Sequence, residues 1–328
     1  MIPAIDGIAS SVGYDDPLRC RVPLPLIATY YPIGFPLEMA TNSEELLAAA
    51  SELWRAYPRL SCSKPVRLHV EVEGRSNGAA GEPVVRGREH LVFITQSREN
   101  FAVADLSRGF AYAALTHEMA ADRRCFRYYY LEPLVHLMID SLHATPLHAA
   151  CVALPSGAVV LCGASGVGKT SLAYACARRG WIYLSDDATH VLRRSSGHTV
   201  AGRPHQIRFR ASAGRLFPEL NAFPGVTRPN GKCNVEVDTV QLGISTAYRA
   251  EARAIVFLQR RGDPAKAEAA AFPREKAKQI LQQVLCYGDE RTRKQQLGTL
   301  GDFLNLPVVD LSYYDMDEAE GALRRLVT

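Results

Sequence analysis

A glycine-rich stretch followed by lysine and threonine is the part of the sequence with the clearest chemistry. Gly163, Gly168, Lys169 and Thr170 fit the spacing G-x-x-x-x-G-K-[ST], which is typical of loops that bind nucleotide phosphates. Glycines allow backbone conformations that turn successive N–H groups toward phosphate oxygens, and lysine adds a positive charge near the β- and γ-phosphates. The threonine hydroxyl is suited to binding Mg²⁺. We therefore predict a site for ATP and Mg²⁺ formed by Gly163, Ala164, Ser165, Gly166, Val167, Gly168, Lys169, Thr170 and Ser171.

Two adjacent aspartates, Asp186 and Asp187, form the second candidate group. They follow a predicted strand, residues 181–185, which comes directly after the helix that the phosphate-binding pattern opens. In such a pair one carboxylate can accept a proton from a hydroxyl, while the other helps to hold a metal ion or orients its neighbour. The alternative is a solvated turn without a chemical role. The position beside the predicted phosphate loop favours the chemical interpretation.

The elements around these residues follow the order that a nucleotide site needs. The hydrophobic run 158–162 predicts a buried strand directly before the loop, and residues 169–179 predict a helix directly after it, with Gly180 as its C-terminal cap. A helix that begins at the loop adds the positive end of its dipole to the phosphate site. A further strand is predicted over 147–154.

The N-terminal part is predicted to contain a sheet and two helices. Residues 66–72 alternate apolar and polar side chains, which indicates a strand with one wet face. Residues 74–87 are polar and glycine-rich and predict a turn. Helices are predicted from Asn42 or Ser43 to about 57, and over 126–142, where Pro133 marks a kink or a fresh start. The other predicted strands are 24–31, 35–39, 91–95, 101–106 and 110–115, with the last three in an antiparallel sheet.

The chain after the aspartate pair continues with short strands and a loop. Residues 189–193 and 199–201 predict a hairpin, and 207–209 a short strand. The stretch 217–234 is rich in proline and glycine and is predicted to be a loop. Because long loops near phosphate sites often act as lids, we expect it to close over nucleotide through Arg228 or Lys232. A passive connection is the alternative. The remaining predictions are a strand at 251–258, helices at 274–287 and 289–304, a strand at 307–311 and a helix at 316–327.

Composition narrows the class of protein. The 328 residues, of which 47% are hydrophobic and 22% charged, are typical of a globular protein and long enough for two domains. No hydrophobic run approaches the roughly 20 residues of a membrane span, and MIPAIDGIAS lacks the basic region of a secretory signal. The net charge of +4 is small and its basic residues are scattered. We therefore expect neither a membrane nor a nucleic acid as a partner.

The eight cysteines include no C-x-x-C pair and no spacing typical of a zinc site. They are interpreted as reduced cysteines that act as small hydrophobic side chains in a cytoplasmic protein. The sequence leaves the oligomeric state open, a homo-oligomer included.

The region 147–191 resembles the HPr kinase/phosphorylase-like serine kinases, which are distantly related to phosphoenolpyruvate carboxykinases. The resemblance rests on the segments LHAACV, GASGVGKTS, ARRGW and LSDDATHV. It implies an α/β chain, α+β overall, in which a P-loop nucleotide domain at 144–328 follows a smaller α+β domain at 1–143. It also implies that Asp186 is the base toward a serine hydroxyl, that Thr170 and Asp187 bind the metal, and that His148 contacts the acidic pair. Arg203, Arg228 and Lys232 resemble the region that closes over nucleotide and substrate.

The departures from this family narrow the expected function. Residues 1–140 do not resemble the regulatory domain of the bacterial sugar-response enzyme, which argues against the sugar-transport carrier protein as substrate and against phosphorolysis. The leading hypothesis is an ATP-dependent kinase for a serine, or another hydroxyl, of a protein or peptide. A nucleotide-gated binding module with slow ATPase activity is one alternative. A carboxykinase-like phosphotransferase acting on a small molecule is the other.

Overall fold

A computed structural model of the chain describes residues 23–75, 81–193, 198–227, 229, 231, 233–285 and 288–328. The fold is mixed α/β, with two large sheets, one small sheet and helices packed against them. The predicted irregular character of the first twenty residues lies outside the described part.

The strands and helices are numbered in chain order. The strands are β1 (Leu26–Tyr30), β2 (Leu37–Thr41), β3 (Val66–Val72), β4 (Val84–Arg88), β5 (Leu91–Thr95), β6 (Phe101–Asp105), β7 (Phe110–Leu115), β8 (Ala144–His148), β9 (Ala150–Leu154), β10 (Gly157–Cys162), β11 (Ile182–Ser185), β12 (Ala188–Leu192), β13 (Thr199–Ala201), β14 (Gln206–Arg210), β15 (Gly225–Thr227), β16 (Cys233–Asp238), β17 (Arg249–Arg260), β18 (Glu268–Ala271) and β19 (Val308–Tyr313). The helices are α1 (Glu44–Trp54), α2 (His117–Ala121), α3 (Arg123–Phe126), α4 (Glu132–Leu142), α5 (Lys169–Ala177), α6 (Arg274–Leu281), α7 (Glu290–Phe303) and α8 (Met316–Arg325).

The first sheet has the strand order β1-β2-β3-β7-β6-β5-β4. The pairs of β5 with β6 and of β6 with β7 are antiparallel, as predicted, and β4, which was not predicted, is antiparallel to β5. Strand β3 is parallel to both β2 and β7, so the sheet as a whole is mixed. The alternation of apolar and polar residues in β3 indicates that one face of the strand is buried. It does not indicate whether the neighbouring strands are parallel or antiparallel to it. The helix α1 connects β2 to β3, and such a crossover makes the pair parallel.

Helices α1 and α4 cover this sheet and form the first hydrophobic core with it. A π-helical turn, Arg127–Leu131, joins α3 to α4, and Pro133 lies in the first turn of α4. The backbone stays helical at Leu131 and Glu132, so Pro133 lies where the helix changes from the π-helical turn to α4 and does not begin a separate helix. The same core includes Leu192 and Ala201. Packing therefore continues across the predicted boundary at 143/144, and the two-domain division stays a prediction.

The second sheet has β10 near its centre, in the order β11-β9-β10-β17-β13-β12-β8, with β19 beside β17 and β18 beside β19. Strand β10 is parallel to β17 and antiparallel to β9, and all six of its residues are buried. Its side chains alternate between two cores. Val159 and Leu161 pack in the core that contains α5 and α8, and Val160 and Cys162 pack in the core that contains α6 and α7. Burial on both faces explains the continuous hydrophobic run.

A small sheet of order β14-β16-β15 corrects the prediction of a loop over 217–234. The stretch contains a 3-10 turn, Pro218–Ala222, followed by β15 and the start of β16. Its prolines lie outside the ladder, where the missing N–H costs no hydrogen bond. The turn predicted over 74–87 is likewise corrected at its end, where the strand β4 begins. The five residues of β4 are all exposed and show no alternation of apolar and polar side chains. The hairpin predicted after the aspartate pair is confirmed by the antiparallel pairing of β12 with β13. No helix in the described part of the chain is both long and apolar enough to cross a membrane.

Candidate active site

The loop between β10 and α5 consists of residues 163–168. Its glycines have positive φ angles of 142° at Gly163, 90° at Gly166 and 107° at Gly168. At Gly168 a Cβ atom would lie 2.7 Å from the Tyr313 hydroxyl, so both the backbone conformation and the space require glycine. That hydroxyl donates a hydrogen bond to the Val167 carbonyl at 3.3 Å, which attaches the end of the loop to β19. The helix begins directly after the loop, as predicted.

Lys169, the first residue of α5, places its ammonium inside the loop. Its Nζ donates hydrogen bonds to the Gly163 carbonyl at 2.8 Å and to the Ala164 carbonyl at 3.4 Å. Burial lowers the pKa of Lys169, and the negative charge of Asp187 acts in the opposite direction. A partly buried cation held by two carbonyls loses little hydration when an anion replaces them.

His148 connects this lysine to the aspartate pair. Its Nε2 lies 3.3 Å from Lys169 Nζ, and its Nδ1 lies 3.0 Å from Asp187 Oδ1. An ammonium can only donate, so Nε2 must accept and the ring proton belongs on Nδ1, where it points to the carboxylate. The pairing of β8 with β12 creates this contact, since it sets His148 opposite Ala188.

Asp187 is the more accessible of the two aspartates, with 58% of its side chain exposed. Partial burial works to raise its pKa, but the hydrogen bond and charge of His148, together with Lys169, outweigh this and lower the pKa. Asp187 is therefore a carboxylate at neutral pH. It lies beside the loop lysine, where a Mg²⁺ ion bound to phosphate would need a protein oxygen as a ligand.

Asp186 lies in a different environment, although it is adjacent in sequence. It is buried, and its Oδ2 accepts a hydrogen bond from the backbone N–H of Arg208 at 2.8 Å. Burial raises its pKa, and the charge and the N–H of Arg208 act against that rise. A raised pKa makes Asp186 the better proton acceptor of the pair.

Two arginines of β14 belong to the site although the sequence analysis did not single them out. Arg210 donates to the Ser165 hydroxyl at 2.9 Å, and its guanidinium lies against Gly166. Arg208 holds Asp186 through its backbone. The buried side chains of Ile207 and Phe209 alternate with these arginines, and this alternation was the signal that could have placed both arginines on one face of β14.

Arg203 lies on the other side of the acidic pair. Its guanidinium donates to Glu132 Oε2 at 2.8 Å, and it lines a cleft between the start of α4 and the small sheet. The neighbouring Gly202 packs so closely on the strand β11 that a Cβ would lie 2.2 Å from the Leu184 carbonyl oxygen. The structure therefore places Arg203 on the lining of this cleft, next to Glu132. Arg228 and Lys232 lie outside the described residues.

The residues that could hold Mg²⁺ are few. No group of three histidine, cysteine, aspartate or glutamate side chains in the described part of the chain is arranged to hold a metal ion. Thr170 and Asp187 offer a hydroxyl and a carboxylate near the loop. Mg²⁺ in nucleotide sites usually takes one or two such protein oxygens and completes its shell with phosphates and water. The donor set therefore fits Mg²⁺ bound together with a nucleotide and does not form an independent metal cage.

Comparisons with known proteins show structural similarity without similarity in sequence. No protein-family model matches the sequence, and no curated protein matches it either. Among solved structures, the HPr(Ser) kinase/phosphatase from Coxiella burnetii is similar at 12% sequence identity, over 55% of this chain and 90% of that chain, with a TM-score of 0.31. An identity and a TM-score this low assign no residue and no activity, so the functional argument rests on the geometry of the site.

Proposed function

We propose that the protein is a Mg²⁺-dependent phosphotransferase that moves the γ-phosphate of ATP to a serine, or another hydroxyl, of a protein or peptide. The observation that carries the proposal is the chain of contacts from Lys169 through His148 to Asp187, with Asp186 beside it. These contacts connect a loop whose geometry suits phosphate binding to two carboxylates in different electrostatic environments.

The phosphate loop has the role of binding and orienting ATP. Its N–H groups and the α5 N-terminus are suited to the phosphate oxygens, and Lys169 exchanges the Gly163 and Ala164 carbonyls for the β- and γ-phosphates. Arg210, which donates a hydrogen bond to the Ser165 hydroxyl, is positioned to add a second positive charge at the same loop. Mg²⁺, held by Thr170 and Asp187, would neutralise phosphate charge.

Asp186 has the role of the base. The acceptor oxygen forms a bond to the γ-phosphorus, the bond from that phosphorus to the β,γ-bridging oxygen breaks, and the hydroxyl proton passes to the Asp186 carboxylate. ADP leaves with the electron pair of the broken bond. Burial supports this role because it raises the pKa of Asp186, and the Arg208 N–H supports it by fixing one carboxylate oxygen.

His148 has a positioning role. Its Nδ1–H orients Asp187 and its Nε2 accepts from Lys169, so it separates the lysine from the carboxylate that would otherwise pair with it directly. A direct ion pair would compete with phosphate for the lysine.

The test is the fate of the phosphate. The protein is incubated with Mg²⁺, ATP labelled at the γ-phosphate and a serine peptide, and label on the peptide is compared with label in solution. Transfer that requires the serine hydroxyl and stops with EDTA supports the proposal. Label released only into solution, at the same rate with and without acceptors, would instead identify the nucleotide-gated module with slow ATPase activity. Transfer to a small hydroxy compound but to no peptide would favour the carboxykinase-like alternative.

A further inference from the structure

The cleft beside Asp186 is unusually rich in arginine. It has a volume of about 460 Å³ and lies between the helical segment 123–136 and the small sheet. Five arginines line it, namely Arg123, Arg124, Arg127, Arg203 and Arg208. Two glutamates, Glu132 and Glu236, also line it, which leaves three net positive charges on the lining. Its volume lies within the roughly 300–1,000 Å³ of typical ligand sites.

The carboxylates of the cleft are too few for its guanidinium groups. Glu132 lies 2.8 Å from Arg203, 3.8 Å from Arg208 and 3.9 Å from Arg127. Glu52 pairs with Arg123 and lies 4.0 Å from Arg127, and Glu236 lies 3.8 Å from Arg208, so three glutamates are shared among four arginines. Each guanidinium has five N–H donors, and a carboxylate has only two oxygens. The buried Nε of Arg203 has no hydrogen-bond acceptor in the part of the chain that the structure describes. The cleft therefore retains donors for an added anion.

Arg124 is an accessible donor of the cleft. It is exposed, and no carboxylate among the described residues lies within 4.0 Å of it, whereas its neighbour Arg123 pairs with Glu52. Arginine binds carboxylates in a two-pronged geometry and does so best where solvent is partly excluded. The side chains of Arg127, Arg203 and Arg208 are only 30%, 26% and 28% exposed, which strengthens their charges toward a ligand in the cleft.

Arg208 links the cleft to the proposed base. Arg208 lines the cleft with its side chain and holds Asp186 Oδ2 with its backbone N–H. An acceptor whose hydroxyl reaches Asp186 therefore has its neighbouring groups beside the arginines. We infer that the acceptor is an acidic peptide segment, in which carboxylates flank the reacting hydroxyl. This inference rests on the proposed function, since it names the substrate class of the same site.

A nucleic acid fits the cleft less well. Phosphate backbones are bound by continuous stripes of positive charge, and here Glu132 and Glu236 interrupt the arginines. Alternating charges suit a peptide instead, because carboxylates can face the arginines while N–H groups face the glutamates.

The experiment measures binding of two labelled serine peptides of equal length by fluorescence anisotropy, with and without an ATP analogue. One peptide carries Asp and Glu around the serine, and the other carries Asn and Gln. We expect the acidic peptide to bind about ten-fold more tightly at low salt, and this advantage to shrink as ionic strength rises.

Arg124→Gln should weaken acidic-peptide binding about three- to ten-fold and leave the amide peptide unaffected, since it removes one unpaired charge from an exposed site. Arg86→Gln, in the fully exposed strand β4, is the matched control and should change neither peptide.

Equal affinity for the two peptides, or equal effects of the two substitutions, would overturn the inference. So would displacement of the acidic peptide by a single-stranded oligonucleotide at a lower concentration than by unlabelled peptide. Because binding is measured without catalysis, loss of ATP binding with an intact peptide preference would refute the kinase proposal alone. If both peptides accept phosphate and bind with equal affinity, only the acidic-peptide inference is refuted.

Discussion

The phosphate loop and the arginine cleft meet at the aspartate pair but are built in opposite ways. The loop is local, because residues 163–169 follow one another in the chain and connect β10 directly to α5. The cleft is assembled from segments around residues 124, 203 and 236, which are far apart in the sequence. Under the proposed function, nucleotide binding would depend on a short sequence, whereas acceptor selection would depend on how the helical segment and the small sheet pack.

Asp186 lies where the two regions meet, so its substitution should have the largest effect. Asp186→Asn keeps the side-chain shape and removes the base. We expect phosphate transfer to fall by about 10²–10⁴-fold while ATP affinity stays within a few-fold. Because loose phosphoryl-transfer transition states need little help from a base, the lower end is expected. Single-turnover transfer and calorimetric ATP titration measure the two quantities.

Asp263→Asn, at an exposed position, is the matched control and should change neither the rate of phosphate transfer nor the ATP affinity. A parental transfer rate in Asp186→Asn would mean that Asp187 or His148 accepts the proton.

Lys169→Ala should affect the loop and leave the cleft intact. Loss of the charge that faces the phosphates should weaken Mg²⁺-ATP binding by about 10–100-fold, the worth of one or two charge-assisted hydrogen bonds. Calorimetry with ATP checks this, and exposed Lys294→Ala serves as the control. Unchanged ATP affinity would exclude the loop as the phosphate site. A parallel change in acidic-peptide affinity would show that the two regions are not separable.

Gly168→Ala tests whether the loop is as rigid as its geometry suggests. The φ of 107° and the approach to Tyr313 should together lower the free energy of unfolding by about 1–3 kcal/mol. The control is Gly298→Ala in α7. A Cβ at this position meets no atom within 4 Å, so the substitution should raise the free energy of unfolding by about 0.5–1 kcal/mol. Denaturant titration measures both. Equal stability of Gly168→Ala and the parent would contradict the strained geometry.

The smallest expected effect is on the pH dependence of transfer. Burial holds the pKa of Asp186 above its ordinary value of 3.8, with Arg208 opposing and Asp187 adding to the rise. Transfer should therefore increase with pH along an acidic limb that lies above pH 3.8, as the base loses its proton.

In Asp187→Asn the neighbouring negative charge is absent, the pKa of Asp186 falls, and the limb should move to lower pH. The pH profile of kcat/KM at saturating Mg²⁺ measures this. A limb that moves to higher pH, or does not move, would contradict the assignment of the limb to Asp186.

The strand, loop and helix predicted around Lys169 are confirmed because their local sequence determines them. The spacing of glycines and Lys169 specifies the loop, and the hydrophobic run before it specifies the buried β10. The contact of His148 with the acidic pair was implied by the family resemblance, whereas its contact with Lys169 was not predicted, since it depends on the pairing of β8 with β12. The cleft was missed for the same reason, because Glu132 and Arg208 become neighbours only through tertiary packing.

Gly202 has a consequence for any attempt to redesign this protein. Its backbone leaves no room for even a methyl group against Leu184, two residues before the proposed base. The segment that carries Arg203 and the strand β11, which ends directly before Asp186, are thus in close contact through their backbones, with no side chain between them to absorb a shift. A change in the cleft wall that moves Arg203 would be transmitted to the reacting centre. Selectivity and turnover are therefore expected to evolve together in this protein, and neither can be altered as an independent module.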